Sequence, residues 1–141
     1  MTPSTQRLLV FDVQGSRYAL TLEEVAEVLD PLPTFPIPRA PLYFHGAINF
    51  HGRIVSVLDL AAYLRLGTSL PEGKTVVLDH NLANLALKVG LHVNIVSTDI
   101  VLEEEAGSSP LVGKVLIMAD GEVQLLDVAQ LLQELEGAFA A

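Results

Sequence analysis

The chain has 141 residues, of which half are hydrophobic and 18% are charged, with no cysteine and a formal net charge of −9. This composition excludes a disordered chain, because the apolar residues are numerous enough to offset the entropy lost on ordering. The acidic balance argues against nucleic acid and anionic lipid surfaces as partners, since both need a basic face. The absence of cysteine excludes disulfides and thiolate metal sites and fits a reducing compartment.

No segment predicts a membrane span or an export signal. The apolar runs are interrupted, for example by Asp12, Gly15 and Arg17, and none approaches the roughly 20 residues that cross a bilayer. The N-terminal seven residues lack the charged start and apolar stretch of a secretory signal. We therefore expect a cytoplasmic protein, built as one ordinary domain or as two half-size units that share a core.

The first 41 residues predict a hairpin, a short helix and a connector. Residues 8–13 are rich in β-formers and predict a buried strand, and residues 17–20 return after a glycine turn. Thr21 and Glu24 have the spacing of a capping box, and the apolar residues after Thr21 recur at helical spacing, which predicts an amphipathic helix over 22–29. Five prolines between positions 31 and 41 predict an extended connector that follows the helix.

The segment from Gly46 to Gly67 carries the densest set of signals. It predicts four elements in order: a strand over 46–50, a tight turn at His51–Gly52, a return strand over 53–58 and a helix over 60–66. Asp59 is placed to cap that helix, and Gly67 is placed to end it.

The second half predicts a comparable series. Its elements are strands over 75–79 and 85–89, a weak helical turn across Val89, Val93 and Val96, a polar loop over 103–110, strands over 112–118 and 123–126, and a terminal helix from 128 to about 136. Asp127 is placed to cap the terminal helix, and the residues from Gly137 onward are expected to fray.

The two halves repeat one pattern. The run from Gly52 to Leu64 matches the run from Gly121 to Leu132, with Asp59 opposite Asp127 and a one-residue offset after the glycine. Many short strands with turn signals predict small barrels or a sandwich. We expect two barrel-like halves packed side by side, each too small to bury much alone and therefore sharing an apolar seam.

No constellation of residues predicts catalysis, a metal or a cofactor. The four histidines lack a ligand spacing such as HExxH, and ordinary turn or surface positions explain them. Helix capping explains Asp59 and Asp127. The sequence has no nucleophile elbow, no phosphate-binding loop and no dinucleotide fingerprint. We expect a protein that is not an enzyme.

The turn Asn49-Phe50-His51-Gly52-Arg53 has two interpretations. It is explained as a plain hairpin turn in which Gly52 supplies a positive φ. It is explained equally well as a recognition loop, because exposed turns on rigid scaffolds often carry binding. The residues alone do not decide between the two.

Several motifs in order resemble the CheW-like domain family, the coupling proteins of bacterial chemosensory systems. The most specific is Gly46-x-x-Asn49-Phe50-His51-Gly52-x-Ile54-x-x-Val57-Leu58-Asp59-Leu60, which is similar to the family pattern G-x-x-N-L-R-G-x-I-x-P-V-x-D-L. The opening Leu9-Val-Phe11, the Glu24–Val28 segment and the run from Gly113 to Leu132 fit in the same order. The resemblance covers nearly everything from Leu8 to Leu135.

The resemblance implies a mainly β fold, in which two SH3-like, five-stranded β-barrel subdomains pack around a shared hydrophobic core with short helices. We expect a single CheW-like domain over 1–141, with subdomains near 8–67 and 75–136 and room for an exchange of terminal elements. The length and the lack of a kinase ATP motif favour a stand-alone coupling protein over the kinase or a fusion to a receiver domain.

The resemblance also implies a function and a site. The function is that of a cytoplasmic adaptor recruited to receptor arrays, which docks the cytoplasmic tip of chemoreceptors (methyl-accepting chemotaxis proteins) and the regulatory domain of a CheA-type histidine kinase. The partner-binding residues would be Asn49, Phe50, His51, Gly52 and Arg53. We keep two alternatives: a divergent array component that binds receptors but not the kinase, and a small-molecule-binding barrel.

The chain departs from the family pattern in three places. The arginine associated with partner binding is His51, the proline before V-x-D-L is Ser56, and the V-D-x-V helix is Val89-Gly90-Leu91-His92. Histidine is shorter than arginine and near neutral at pH 7, so a charge-assisted contact would weaken. Arg53 lies next door, although alternation along a strand would point it to the other face.

Overall fold

The computed structural model describes residues 5–139, which fold mainly into β-strands. The strands in chain order are β1 (Arg7–Val13), β2 (Ser16–Thr21), β3 (Val25–Leu29), β4 (Phe44–Phe50), β5 (Arg53–Asp59), β6 (Thr75–Leu78), β7 (Leu85–Lys88), β8 (Val93–Ser97), β9 (Glu103–Ala106), β10 (Val112–Met118) and β11 (Gly121–Leu126). The helices are α1 (Leu60–Tyr63) and α2 (Val128–Phe139), with short 3-10 turns at Leu22–Glu24 and Thr98–Ile100.

The strands form two sheets. One has six strands in the order β8-β1-β2-β11-β10-β9, and the other has five in the order β3-β6-β7-β5-β4. Two sheets with few helices confirm the mainly β prediction, with one strand more than expected in the first sheet.

The chain divides into two compact units. One takes the chain up to Val10, Arg17–Leu22 and the chain from Asn94, and the other takes Phe11–Ser16 and Glu23–Val93. The subdomain bounds given above, 8–67 and 75–136, stay a prediction.

Each unit has its own apolar cluster, built from buried residues of its strands. In the unit with the six-stranded sheet the buried residues are Leu8, Val10, Ala19, Leu116, Met118 and Val123. In the unit with the five-stranded sheet they are Ile48, Val55, Val57, Val77 and Ala86, and Phe50 packs against them. The pairs Ile48–Val55 and Val57–Ala86 lie directly opposite each other in the sheet, so they share one face.

Two predicted helical segments are strands. The helix expected over 22–29 is a 3-10 turn followed by β3, which pairs antiparallel with β6 from Val25 opposite Leu78 to Leu29 opposite Thr75. The helical turn expected across 89–96 is β8. Both segments are short and rich in valine, a β-branched residue that is stiff in helices and packs well on a sheet. Helical spacing of apolar residues over so few positions therefore could not decide the structure.

The polar loop predicted over 103–110 is wrong in its first part, because β9 lies there as an edge strand paired with β10. Its three glutamates are exposed, as expected, and Lys114 Nζ lies 3.3 Å from the Glu104 carboxylate. Charged side chains are a common protection of sheet edges against further pairing. The segment therefore forms a strand, despite its polar composition, because its backbone can hydrogen-bond to β10.

The helix bounds differ from the prediction at both helices. The helix α1 ends at Tyr63 rather than Leu66, because Arg65 takes a left-handed conformation with φ 61°. The helix α2 continues past Gly137 to Phe139, and the fraying expected from Gly137 stays a prediction. The last two residues of the expected frayed segment, 140–141, lie outside the described residues.

The repeated pattern has a structural explanation. Asp59 and Asp127 both cap helices, as predicted: Asp59 Oδ1 accepts the Ala62 N–H at 3.3 Å, and Asp127 Oδ1 accepts the Gln130 N–H at 3.0 Å. The one-residue offset arises at the turns. Gly52 is the second residue of its turn, whereas Gly121 is already the first residue of β11 and pairs with Met118.

Asp59 does more than cap a helix. Only 8% of the residue is exposed, and its carboxylate also accepts the Ser69 N–H at 3.1 Å and the Ser69 hydroxyl at 2.5 Å. Its neighbour in the sheet, Lys88, is also buried and donates from Nζ to the carbonyls of Pro71 and Gly73. Burial lowers the pKa of Lys88, and the charge of Asp59 opposes that shift. The loop over 68–73 is therefore held to the end of β5 by buried polar contacts.

The variants Asp59→Ala and Asp127→Ala separate these roles. Asp127 is an exposed cap, so we expect Asp127→Ala to lower the free energy of unfolding by about 1 kcal/mol. Asp59→Ala also removes the bonds to Ser69 and leaves buried Lys88 with Glu72 as its remaining charge partner, so we expect a loss of about 2–4 kcal/mol. Urea denaturation at neutral pH measures both losses, and equal losses would contradict the anchoring role of Asp59.

Candidate partner-binding site

The turn between β4 and β5 is a two-residue turn, as predicted. Phe50 pairs with Arg53 across it, and the two residues between them have positive φ, 51° at His51 and 80° at Gly52. These values are typical of a type I′ turn, whose twist matches that of the flanking strands. A Cβ added at Gly52 would meet no atom within 4 Å, so this position favours glycine through its backbone conformation alone.

Asn49 and Gly52 shape the turn. The Asn49 Oδ1 accepts the N–H of Gly52 at 3.0 Å, which closes the turn from the side. Asn49 pairs with Ile54, so both lie on the face of the hairpin opposite to Phe50 and Arg53. Two of the five predicted binding residues therefore have a local structural role.

The other three predicted residues, Phe50, His51 and Arg53, line one open groove of about 280 Å³. The His51 ring lies edge-on to the Phe50 ring, with centroids 4.3 Å apart and an interplanar angle of 67°. The complete lining is Ala26, Phe50, His51, Arg53, Val55, Val77, Leu78, His80, Ala83 and Asn84. Strands β3, β5 and β6 and the connection between β6 and β7 thus meet at this end of the five-stranded sheet.

The expectation that Arg53 points to the other face from His51 is wrong, since both line the groove. Alternation separates neighbouring residues of one strand, whereas residues two apart, such as 51 and 53, share a face. Here the chain also reverses at positions 51 and 52, so Arg53 begins the return strand opposite Phe50 and shares its face. A guanidinium therefore borders the groove although position 51 has lost the family's arginine.

The groove combines an apolar floor with a polar rim that carries one arginine. Buried Val55, Val77 and Leu78 form the floor. The ionisable residues of the lining are His51, Arg53 and His80, and none of its ten residues carries a carboxylate. Asp79 adjoins the lining, with its Oδ1 at 3.6 Å from the Nδ1 of His80. Such an arrangement can hold an apolar side chain whose neighbours are acidic.

Part of the groove was not predictable from local signals. Ala26 was predicted to lie in a helix and His80 in an ordinary turn, and Asn84 received no prediction. They meet the β4–β5 hairpin only because β6 and β7 lie between β3 and β5 in the sheet. Had the segment of Ala26 been predicted as strand β3, its pairing in the sheet would have suggested that Ala26 lies at this site.

A second departure from the family pattern, Gly90, also has a physical reason. A Cβ added at Gly90 would lie 2.3 Å from Oδ2 of Asp12, a distance that real Cβ atoms do not tolerate. The same Asp12 carboxylate accepts the His92 N–H at 2.8 Å through Oδ1. Asp12 thus fills the space that a side chain at position 90 would need.

Residues 5–139 hold neither a cluster of metal-ligating side chains nor a membrane-spanning helix. The described residues include no group of three or more histidine, cysteine or carboxylate side chains placed to hold a metal ion. Within the same residues no helix is long and apolar enough to cross a membrane.

Comparison with known proteins gives a family for most of the chain. The profile of the CheW-like domain matches residues 7–136. A protein of Rhizobium etli named probable chemotaxis protein CheW is 28% identical over 101 residues, which are 71% of this chain and 63% of that protein. Chemotaxis protein CheW of Rhizobium meliloti is 26% identical over 104 residues, 74% of this chain and 66% of that protein. The matches thus span slightly less than two thirds of the length of these two relatives.

Two further proteins extend the comparison. Chemotaxis protein CheW of Thermotoga maritima is 22% identical over 133 residues, 91% of this chain and 88% of that protein. Among solved structures, the scaffolding protein TtCheW of Thermoanaerobacter tengcongensis matches with a TM-score of 0.73 and 20% identity, over 89% of this chain and 86% of that one. The similarity to the solved structure shows a shared fold.

The turn geometry predicts that replacing glycine with alanine has different effects on stability at Gly52 and at Gly137. Gly52 and Gly137 both have open space for a Cβ, but only Gly52 has a positive φ. We expect Gly52→Ala to lower the free energy of unfolding by about 1 kcal/mol, because alanine resists the left-handed conformation. Gly137→Ala lies in α2 and should leave stability unchanged or raise it by up to about 1 kcal/mol. Urea denaturation tests the pair, and a neutral Gly52→Ala would contradict the turn assignment.

Proposed function

The chain belongs to the CheW-like domain family, and we propose that it is a chemosensory adaptor that couples chemoreceptors to a CheA-type histidine kinase by protein–protein docking. The observation that supports this most is the groove beside the β4–β5 turn. Three residues predicted from the sequence to bind a partner, Phe50, His51 and Arg53, line that groove together.

The groove has the properties of a protein-docking surface. Its volume, about 280 Å³, lies at the lower limit of the range typical of small-molecule pockets. It therefore suits one or two protruding side chains of a partner better than an enclosed ligand. Its lining includes a half-buried phenylalanine and an exposed arginine beside buried aliphatic residues, and arginine and aromatic residues are enriched at the centres of protein interfaces.

We assign this groove to the regulatory domain of the kinase, which the family resemblance gives the same fold, and the receptor tip to another surface. In this mechanism the chain acts as a cytoplasmic scaffold without a bond-making step. The hairpin is a rigid platform because its turn is closed by the Asn49 side chain and Phe50 packs against the buried cluster. A receptor signal then reaches the kinase as a small change in the relative position of the docked proteins.

One observation favours a second function, a component that binds receptors but not the kinase. His51 stands where the family has the arginine associated with partner binding. Against this, Arg53 borders the same groove and retains a fixed positive charge there. Binding of the kinase separates the two functions.

The test of the proposed function is a co-sedimentation of the purified protein with a receptor cytoplasmic fragment and the kinase of the same organism. We expect a ternary complex that requires the protein. A complex with receptor alone would support the second function instead. If neither partner binds, the proposed function is wrong.

The groove assignment is tested by neighbouring substitutions on opposite faces of one hairpin. We expect Arg53→Ala to weaken binding of the kinase regulatory domain by about tenfold or more, the size of a moderate interface hot spot. Ile54→Ala is the matched control, because Ile54 is 59% exposed and adjacent but lies on the other face. Its effect should stay below about threefold. Titration calorimetry measures both affinities, and equal effects would contradict the groove as the binding surface.

A further inference from the structure

We propose that the chain has a second docking surface, at the opposite end of the β4–β5 hairpin from the groove, and that it takes an acidic amphipathic helix of a protein partner. This surface, the tyrosine patch, consists of Arg39, Leu42, Tyr43, Tyr63 and Arg65. The inference goes beyond the proposed function, because it requires neither the receptor nor the kinase.

The tyrosine patch lies where β4 begins and β5 ends. Tyr43 immediately precedes β4, and its carbonyl accepts the N–H of Asp59, the last residue of β5, at 2.7 Å. The groove lies at the other end of the hairpin, where Phe50 pairs with Arg53. The length of β4, from Phe44 to Phe50, separates the two ends by roughly 20 Å. A helix bound at the patch therefore leaves the groove accessible.

The centre of the patch is apolar and open to solvent. The ring of Tyr43 lies edge-on to the ring of Tyr63 in α1, with centroids 4.9 Å apart and an interplanar angle of 89°. Both tyrosines are half-buried, and Leu42, which precedes Tyr43, is 100% exposed. Large apolar groups that adjoin one another at a surface mark contact sites, and tyrosine is enriched in protein interfaces.

The chain around the patch is poor in negative charge. Between Asp30 and Glu72 the sequence contains one carboxylate, Asp59, which is buried and accepts the hydroxyl of Ser69. Asp30 itself is paired with Lys74. The same stretch contains three arginines, although the chain as a whole has a net charge of −9. This part of the surface is therefore a basic exception on an acidic protein.

Two of these arginines adjoin the tyrosines. Arg65 follows Tyr63 by two residues and Arg39 precedes Tyr43 by four, so the Cα atom of each arginine lies within about 14 Å of that of its tyrosine. Both arginines are exposed, and neither forms an ion pair with a side chain in the part of the chain that the structure describes. Their charges are therefore available to a partner.

The carboxylates of the neighbouring elements act elsewhere. Asp12 reaches α1 from β1 and lines a pocket with Ala61. Ala61 and Tyr63 are two positions apart, about 200° around the helix, so Asp12 lies on the side of α1 away from the patch. The charge of Glu72 acts on buried Lys88. The two arginines thus keep their full effect on the tyrosine patch.

The backbone at both arginines is unusual. Arg39 and Arg65 have φ of 62° and 61°, in the left-handed region that residues other than glycine rarely occupy. Glycine would take either position without steric cost. Backbone conformations of this kind concentrate at binding sites, where the side chain is needed in spite of the strain. Here the same cationic side chain occupies both positions.

The arrangement determines the chemistry of the partner. An apolar centre, with one arginine from the connector and one from the end of α1, matches a helix whose apolar stripe is flanked by carboxylates. An anionic bilayer is a poorer match, because the net charge of −9 repels an extended anionic surface. A helix brings only a few carboxylates close to the patch and avoids that repulsion.

The test is an amide NMR titration of the labelled full chain with a synthetic helical peptide that carries a leucine stripe flanked by glutamates. A second peptide, with lysine in place of each glutamate, is the charge control. We expect the acidic peptide to shift the amides of residues 39–43 and 63–66 and the basic peptide to leave them unchanged. The inference is wrong if both peptides give the same response, if neither binds, or if the acidic peptide shifts Phe50–Arg53 instead.

The double variant Arg39→Gly/Arg65→Gly separates binding from folding. We expect its affinity for the acidic peptide to fall about three- to tenfold, the contribution of two exposed ion pairs. Its melting temperature should stay unchanged or rise, because glycine accepts the left-handed conformation; a fall in both would indicate a structural role instead. Arg7→Gln/Lys114→Gln is the matched control, since it removes two exposed charges from the other unit and should change affinity by less than about twofold.

The apolar centre is tested by Leu42→Ser, which should weaken binding of the acidic peptide by about tenfold. Leu82→Ser is its control, because Leu82 is 42% exposed and lies outside the patch; equal losses would contradict the patch. Co-sedimentation with phosphatidylglycerol vesicles tests the other class of partner. If the chain binds these vesicles but not the acidic peptide, the protein partner is overturned. None of these outcomes bears on the adaptor function, since neither receptor nor kinase is present.

Discussion

Two residues in the left-handed conformation, His51 and Gly52, reverse the chain between β4 and β5. A two-residue turn fixes the register of the strands that it joins, and here it places Phe50 opposite Arg53. Because side chains alternate along a strand, a shift of one residue would move Arg53 to the opposite face and Ile54 into the groove. The composition of the candidate site therefore depends on the geometry of this turn.

The strand that carries Arg53 is held at its other end by a different kind of interaction. Asp59 closes β5 with a buried carboxylate that caps α1 and binds Ser69, and Lys88 lies beside it on β7. Between these ends, Val55 and Val57 bury their side chains in the apolar cluster. The strand β5 thus begins at a turn of defined geometry, is apolar in its middle and ends at a hydrogen-bonded carboxylate. Glycine, valine and aspartate respectively make these three features.

Local signals were enough for the elements that local interactions determine. The hairpins, the capping roles of Asp59 and Asp127 and the tight turn at Gly52 all depend on residues within a few positions of one another. The structure of β3, β8 and β9 depends instead on partners far away in the chain: β3, for example, pairs with β6 through Val25 and Leu78. Short valine-rich or glutamate-rich segments fit several structures, so the strand that offers them hydrogen bonds decides.

The same distinction explains what was predictable of the site. The run from Asn49 to Arg53 was recognised from sequence, but His80 and Ala26 were not, because only the strand order brings them to the groove. The direction of Arg53 was mistaken because alternation separates neighbouring residues, whereas positions 51 and 53 are two apart.

Position 51 carries histidine where the family pattern has arginine, and Arg53 borders the same groove. The guanidinium of Arg53 keeps a fixed positive charge at this place. The difference at position 51 therefore does not remove the cation from the groove.

The central claim is that the groove beside this turn is the docking surface for the kinase. The most direct measurement is a two-dimensional amide NMR titration of the labelled protein with the kinase regulatory domain, which locates the contact residue by residue. We expect the shifts to concentrate at Phe50–Arg53, at Ala26 and at positions 80–84, which surround the groove. Shifts confined to the other unit, with these amides unchanged at saturation, would contradict the claim.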